Sequence, residues 1–130
     1  MQTKSERLGQ AMAAISRGDV QAFGEILLSD YVVWHWPGRS SVAGEYRGRD
    51  AALELLSGFH RLTQGRLHVE SLDVLEGRDH VMSFTHVTAQ QDGRNLDVVM
   101  ADAMRFGADG RVEEFWTLSN DQEAVDSFIG

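Results

Sequence analysis

The chain has 130 residues, enough for one domain (1–130) with a real core, because a chain near this size buries roughly two-thirds of its unfolded surface. Hydrophobic residues at 42% and charged residues at 25% are ordinary for a globular protein and exclude a disordered class. The formal net charge of −8, from 12 basic and 20 acidic residues, argues against nucleic-acid binding, which needs clustered Lys and Arg to neutralise phosphates.

No apolar run approaches the roughly 20 residues that cross a bilayer, so no membrane partner is expected. The opening Met1–Glu6 lacks the charged-then-apolar pattern of a signal peptide, and a cytoplasmic protein is the simplest expectation. With no cysteine there is no disulfide, no thiolate nucleophile and no Cys-based zinc site.

In chain order, Thr3 and Glu6 form a capping box for a first helix in which Leu8, Met12 and Ile15 recur at helical spacing, with Gly18 as its stop. Asp19 caps a second helix burying Ala22, Phe23, Ile26 and Leu27. The period then changes. Tyr31 to Trp36 is aromatic and β-branched, a strand ended by Pro37-Gly38, and Gly44–Gly48 is a short returning strand. Asp50 is the expected cap of a third helix, with Ala52, Leu55, Leu56, Phe59 and Leu62 on one face and Gly65 at its close.

Beyond Gly65 the pattern is an antiparallel meander, with strands near Leu67–Leu75, His80–Ala89, Leu96–Phe106 and Val112–Leu118. Gly77, Asp92-Gly93 and Asp109-Gly110 mark the turns. A last short helix is expected from Asn120, with Glu123 at its third position. Helices first and a sheet afterwards predict an α+β fold: a strongly curved, mixed or antiparallel sheet wrapped as a cone around the N-terminal helices, enclosing an apolar pocket.

Alternate residues of a strand share a face, so Val98, Met100, Asp102, Met104 and Phe106 lie together, four of them apolar. A carboxylate in such a stripe is desolvated and its pKa rises, which makes it a neutral donor or a base useful near neutrality. A bulge that leaves Asp102 at a rim is the structural alternative. In Trp34-His35-Trp36 the histidine faces one way and the tryptophans the other; His35 is an acid/base candidate or a hydrogen-bonded structural residue. Trp34 and Trp36 suit a core or a subunit interface, and Trp34 is also a candidate ligand contact.

Gly18-Asp19, Ser29-Asp30 and the strand ending Trp34-His35-Trp36-Pro37-Gly38 resemble the opening of the ketosteroid isomerases and their SnoaL-like relatives in the nuclear transport factor 2-like superfamily. Gly44-Glu45-Tyr46-Arg47-Gly48-Arg49-Asp50 is similar to that family's lead-in to a helix, and Asp102-Ala103-Met104-Arg105-Phe106 with Gly110-Arg111 is similar to its later strand and turn. The resemblance implies that His35 takes the place of the isomerases' general-base aspartate and Asp102 that of the acid held neutral to stabilise an oxyanion. The first-helix tyrosine of the isomerases is Ala11 here.

Cavity candidates are Tyr46, Phe59, Met100 and Met104, with Met82, Phe84 and His86 on one face of their strand and Val112, Glu114, Trp116 and Leu118 on one face of theirs. The five histidines (His35, His60, His68, His80, His86) show no metal-ligand pairing, and neither a phosphate loop nor a nucleophile elbow occurs, so no metal and no cofactor is expected. The leading expectation is an isomerase or cyclase acting on a hydrophobic, polyketide-like or steroid-like carbonyl compound, with His35 as base and protonated Asp102 as donor. A pocket acting chiefly as a mould for ring closure is a variant. A non-catalytic ligand carrier or dimerising module is the other class, and a homodimer is expected. Epoxide hydrolysis through an Asp-Arg-Asp set is disfavoured because Arg105 falls on the face opposite Asp102.

Overall fold

Three cap signals in the sequence set where the helices start. The computed structural model describes residues 2–130. The Thr3–Glu6 capping box opens α1 (Lys4–Ser16), and the Asp19 carboxylate accepts from the Ala22 amide to open α2 (Val20–Leu27). Asp121 caps α4 (Gln122–Ile129) through the Ala124 amide, one residue later than the Asn120 expected from sequence. The start of α3 (Arg49–Thr63) is built differently. Its cap is Gly48, at φ 93, with no side-chain bond, and Asp50 lies in the first turn instead of capping it. The Gly48 amide donates to Val32 O, and the Arg49 guanidinium donates to Leu28 O and pairs with Asp30. The glycine-rich lead-in is therefore a clasp between α3 and the neighbouring strand.

Six strands follow or interleave: β1 (Leu28–Trp36), β2 (Gly44–Arg47), β3 (Leu67–Glu76), β4 (His80–Gln91), β5 (Arg94–Phe106) and β6 (Val112–Ser119). They form one sheet in the order β2-β1-β6-β5-β4-β3. All neighbours are antiparallel except β1 and β6, which run parallel, so the α+β architecture carries a mixed sheet. The β4–β5 hairpin turns on two residues with positive φ, Asp92 at 45° and Gly93 at 78°, the geometry whose twist matches the strands it joins. Its register runs without a bulge from Gln91↔Arg94 to His80↔Arg105. Shifts of register elsewhere, between Leu28 and Val33, Ser71 and Asp73, and Arg105 and Phe106, bend the sheet around the helices.

The inner face divides into two adjoining apolar clusters. One gathers Leu8, Phe23, Trp34, Leu53, Met104 and Phe115, the other Trp36, Leu55, Val87, Leu96, Met100 and Phe128. Helices α2 and α3 meet at Gly24, where an added Cβ would stand 2.6 Å from Leu53 Cδ2. Gly24→Val is expected to destabilise the fold by about 1–3 kcal/mol through overpacking, and less than additively with Leu53→Ala, as measured by urea denaturation.

Candidate functional site

Between the two clusters lies a cavity of about 130 Å³, partly open to solvent and lined from α1, α2, α3, α4 and five of the six strands. Its wall is almost wholly apolar: Leu8, Met12, Phe59, Leu62, Leu96 and Met100 are representative. Asp102 is the only titratable side chain among the described lining residues. The alternation of β5 places it there, between Met100 and the fully buried Met104.

Sheet register decides which polar groups accompany it. Asp102 pairs with Ser83 on β4 and with Thr117 on β6, so the three side chains form one row across the inner face. The Thr117 hydroxyl donates to Asp102 Oδ1 at 2.8 Å, and the Trp34 indole N–H donates to Thr117 Oγ1 at 2.9 Å. Thr85, one inward step along β4, donates to Met100 O. Burial pushes the Asp102 carboxyl up to about 7, against a smaller opposing pull from the Thr117 hydrogen bond. The shift moves the titration of this carboxyl toward neutral pH.

His35 is not in this cavity. In β1 the tryptophans take the inner face and the histidine the outer one. Trp34 and Trp36 are 4% and 8% exposed and line the cavity, with Trp36 against Phe59 at 4.7 Å between ring centroids. His35 Nε2 lies 2.7 Å from Glu114 Oε2, Nδ1 lies 3.6 Å from Glu45, and the ring stacks on Trp116. Arg105 joins this outer network through Glu113 at 2.9 Å and Glu114 at 3.7 Å. The expected convergence of His35 and Asp102 on one cavity is therefore corrected: the thickness of the sheet lies between them.

The other candidates divide the same way. Phe59, Met100 and Trp34 line the cavity, whereas Met104 is packed in the core beside it. Phe84 and His86 belong to the outer face, because β4 buries Val81, Ser83, Thr85, Val87 and Ala89 instead; His86 Nε2 contacts Asp97 at 2.6 Å. Trp116 is outward as well, since Phe115 and Thr117 are the inward residues of β6. Tyr46 is half-buried, and its hydroxyl donates to Val42 O and not toward Asp102. Ala11 is fully buried and brings no donor. Sequence reasoning missed Ser83, Thr85 and Thr117. Ser83 was within reach, because the two-residue turn sets it and Asp102 equally far from Asp92-Gly93 and hence on one face. Among the described residues no group of three or more His, Asp or Glu is placed to hold a metal ion, and no helix is long and apolar enough to cross a membrane.

A family model of the SnoaL-like domain matches residues 8–115. The chain belongs to the SnoaL-like family. No curated protein matches this SnoaL-like chain. Among solved structures it is similar to Bal32a, from a soil-derived mobile gene cassette, with 30% identity over 98% of this chain and 96% of that one and a TM-score of 0.92. A Xanthomonas campestris protein of unknown function with a cystatin-like fold is 26% identical over 100% of this chain and 99% of its own, at a TM-score of 0.89. IdmH of Streptomyces antibioticus, a proposed polyketide cyclase, shares the fold at 21% identity over 92% of this chain and 93% of its own, at a TM-score of 0.74.

The buried acid of this SnoaL-like domain makes stability depend on pH. An acid whose folded pKa is raised binds a proton in the native state that the unfolded chain has released, so stability falls as pH climbs from 3.8 to about 7 and stays lower above it. Asp102→Asn keeps an acceptor for Thr117 without the charge. It is expected to stabilise the protein at about pH 8, by up to the order of 4 kcal/mol, and to abolish the decline expected of the wild type on going up from about pH 5, as read from urea midpoints.

Proposed function

We propose that this SnoaL-like protein is a cofactor-independent acid/base enzyme, an isomerase or cyclase of a small apolar carbonyl compound, with Asp102 as its proton-transfer group. The observation that carries the proposal is a carboxyl, the one titratable group among the described lining residues, raised to about 7 by burial on the wall of a largely apolar cavity. An apolar wall selects an apolar molecule, and a base poised near the working pH is suited to removing a weakly acidic proton.

In the proposed step the Asp102 carboxylate takes a proton from a carbon next to the substrate carbonyl. The C–H electron pair moves into the new C=C bond, and the carbonyl π pair moves onto oxygen, giving an enolate and a neutral Asp102. Return of the proton to a different carbon completes an isomerisation. If the enolate carbon instead attacks a second carbonyl, the proton goes to the alkoxide formed and a ring is closed. Ser83, in register with Asp102 on the same wall, is positioned to donate a hydrogen bond to the enolate oxygen. The fold shared with IdmH is the reason ring closure stands beside isomerisation.

His35 has no part in this chemistry, because its ring is engaged by Glu114 and Trp116 on the other face. A set of apolar cyclic ketones and polyketide-like diketones, assayed by chromatography and by exchange of carbon-bound hydrogen in deuterated buffer, tests the reading. Asp102→Asn is expected to lower the rate at least about 100-fold while His35→Ala leaves it within about threefold. Turnover that survives Asp102→Asn, or a bound ketone returned without exchange by the wild type, contradicts it.

A further inference from the structure

We infer that Trp34 and Thr117 are positioning residues that lock the Asp102 carboxyl in one hydrogen-bond polarity, so that it exchanges protons with a bound molecule through Oδ2 alone. The inference deepens the acid/base reading of the cavity and rests on it. It starts from an asymmetry of donors. An indole N–H can only donate, so Thr117 Oγ1 must accept from Trp34 at 2.9 Å. Giving the single Thr117 hydrogen to Asp102 Oδ1 at 2.8 Å, with Oδ1 accepting, is the arrangement that leaves no hydroxyl hydrogen unpaired.

The polarity is hard to reverse. Trp34 is stacked on Phe115, with 3.9 Å between centroids, and tilted against Phe23 at 6.4 Å, so two neighbouring rings hold the indole in its orientation. Thr117 is β-branched and only 3% exposed, which holds its hydroxyl in place. A proton on Oδ1 would make Thr117 accept twice and leave its own hydrogen without a partner in an apolar surround, the unfavourable case of an unsatisfied buried donor. Oδ2 has no protein partner among the described residues, yet it is not sealed in, and the cavity is the space beside it. The proton of the acid therefore resides on Oδ2, and the free lone pairs of the base are there too.

Among the described residues no competing charge lines this row. The elements around Asp102 present Ser83 and Thr85 from β4, Thr117 from β6 and Trp34 from β1, and no other titratable group among the described residues lines the cavity. A bound molecule thus meets one oxygen that is a donor when Asp102 is neutral and a base when it is charged. The ligand class that fits is an apolar molecule presenting one carbonyl oxygen, or the carbon beside it, to that atom.

The test is titration of the ligand-free protein by carbon NMR with carboxyl-labelled aspartate. Thr117→Val, which removes the donor to the carboxylate, is expected to raise the proton affinity of Asp102 roughly tenfold, while Thr117→Ser keeps it near the wild-type value. Trp34→Phe frees Thr117 to accept from Oδ1–H, which favours the neutral acid, so it too raises the affinity. In a Thr117→Val background Trp34→Phe has no effect, because the link is already cut. Equal titration of Thr117→Val, Thr117→Ser and the wild type overturns the inference, as does a Trp34→Phe shift of the same size in both backgrounds. Should Trp34→Phe fail to fold, the two Thr117 variants decide alone. No substrate enters this experiment, so its failure leaves the acid/base reading standing, whereas full turnover by Asp102→Asn removes that reading and leaves the polarity intact.

Discussion

A carboxyl group surrounded by apolar side chains is the constraint around which the rest of the molecule is arranged. Leaving such a group without a partner is unfavourable, and placing a cation beside it would cancel the elevation of its pKa. The sheet resolves this with one hydroxyl. Thr117 bonds one oxygen of Asp102 and leaves the other to the cavity. The arrangement depends on register, because only the pairing of β5 with β6 and β4 brings Thr117 and Ser83 level with the carboxyl. The bends in the sheet and the four helices packed inside it then keep the wall apolar.

The two faces of the sheet divide the protein's chemistry. Inside, hydroxyls and one acid are held among aromatic and aliphatic groups. Outside, His35, Glu45, Glu113, Glu114 and Arg105 form a half-exposed network over Trp116. Ion pairs of this kind are screened and contribute little individually, so the outer network adds little to stability. The inner row has the opposite character: few groups, no screening, and a strong effect of each hydrogen bond on the proton affinity of its neighbour.

Much of this fold was legible in the sequence. Thr3, Glu6 and Asp19 mark helix starts by side-chain chemistry that acts locally, and Asp92-Gly93 specifies a tight turn by backbone conformation. Asp102 was found because alternation within one strand is also local. The errors arose where a face had to be chosen. In β4 both faces hold apolar residues, and the inward one is the face with Ser83 and Thr85, the latter made tolerable inside by its hydrogen bond to Met100 O. In β1 the imidazole's chemistry drew attention to the wrong side, although two tryptophans carry far more apolar area to bury than one valine and one histidine. Thr117 lay beyond counting, because a register shift between Arg105 and Phe106 separates the turn from the row. Gly48 replaced the expected Asp50 cap because the Arg49 clasp sets the chain's course there.

Of the two positions singled out by the resemblance to ketosteroid isomerases, Asp102 lies on the cavity wall and His35 on the outer face of the sheet. Everything proposed for the cavity turns on the state of one carboxyl. The most direct test is the titration of Asp102 in the wild-type protein, followed by the chemical shift of its labelled carboxyl carbon. A midpoint near 7 is the result the account predicts. A midpoint in the ordinary carboxylate range, near 4, would contradict it.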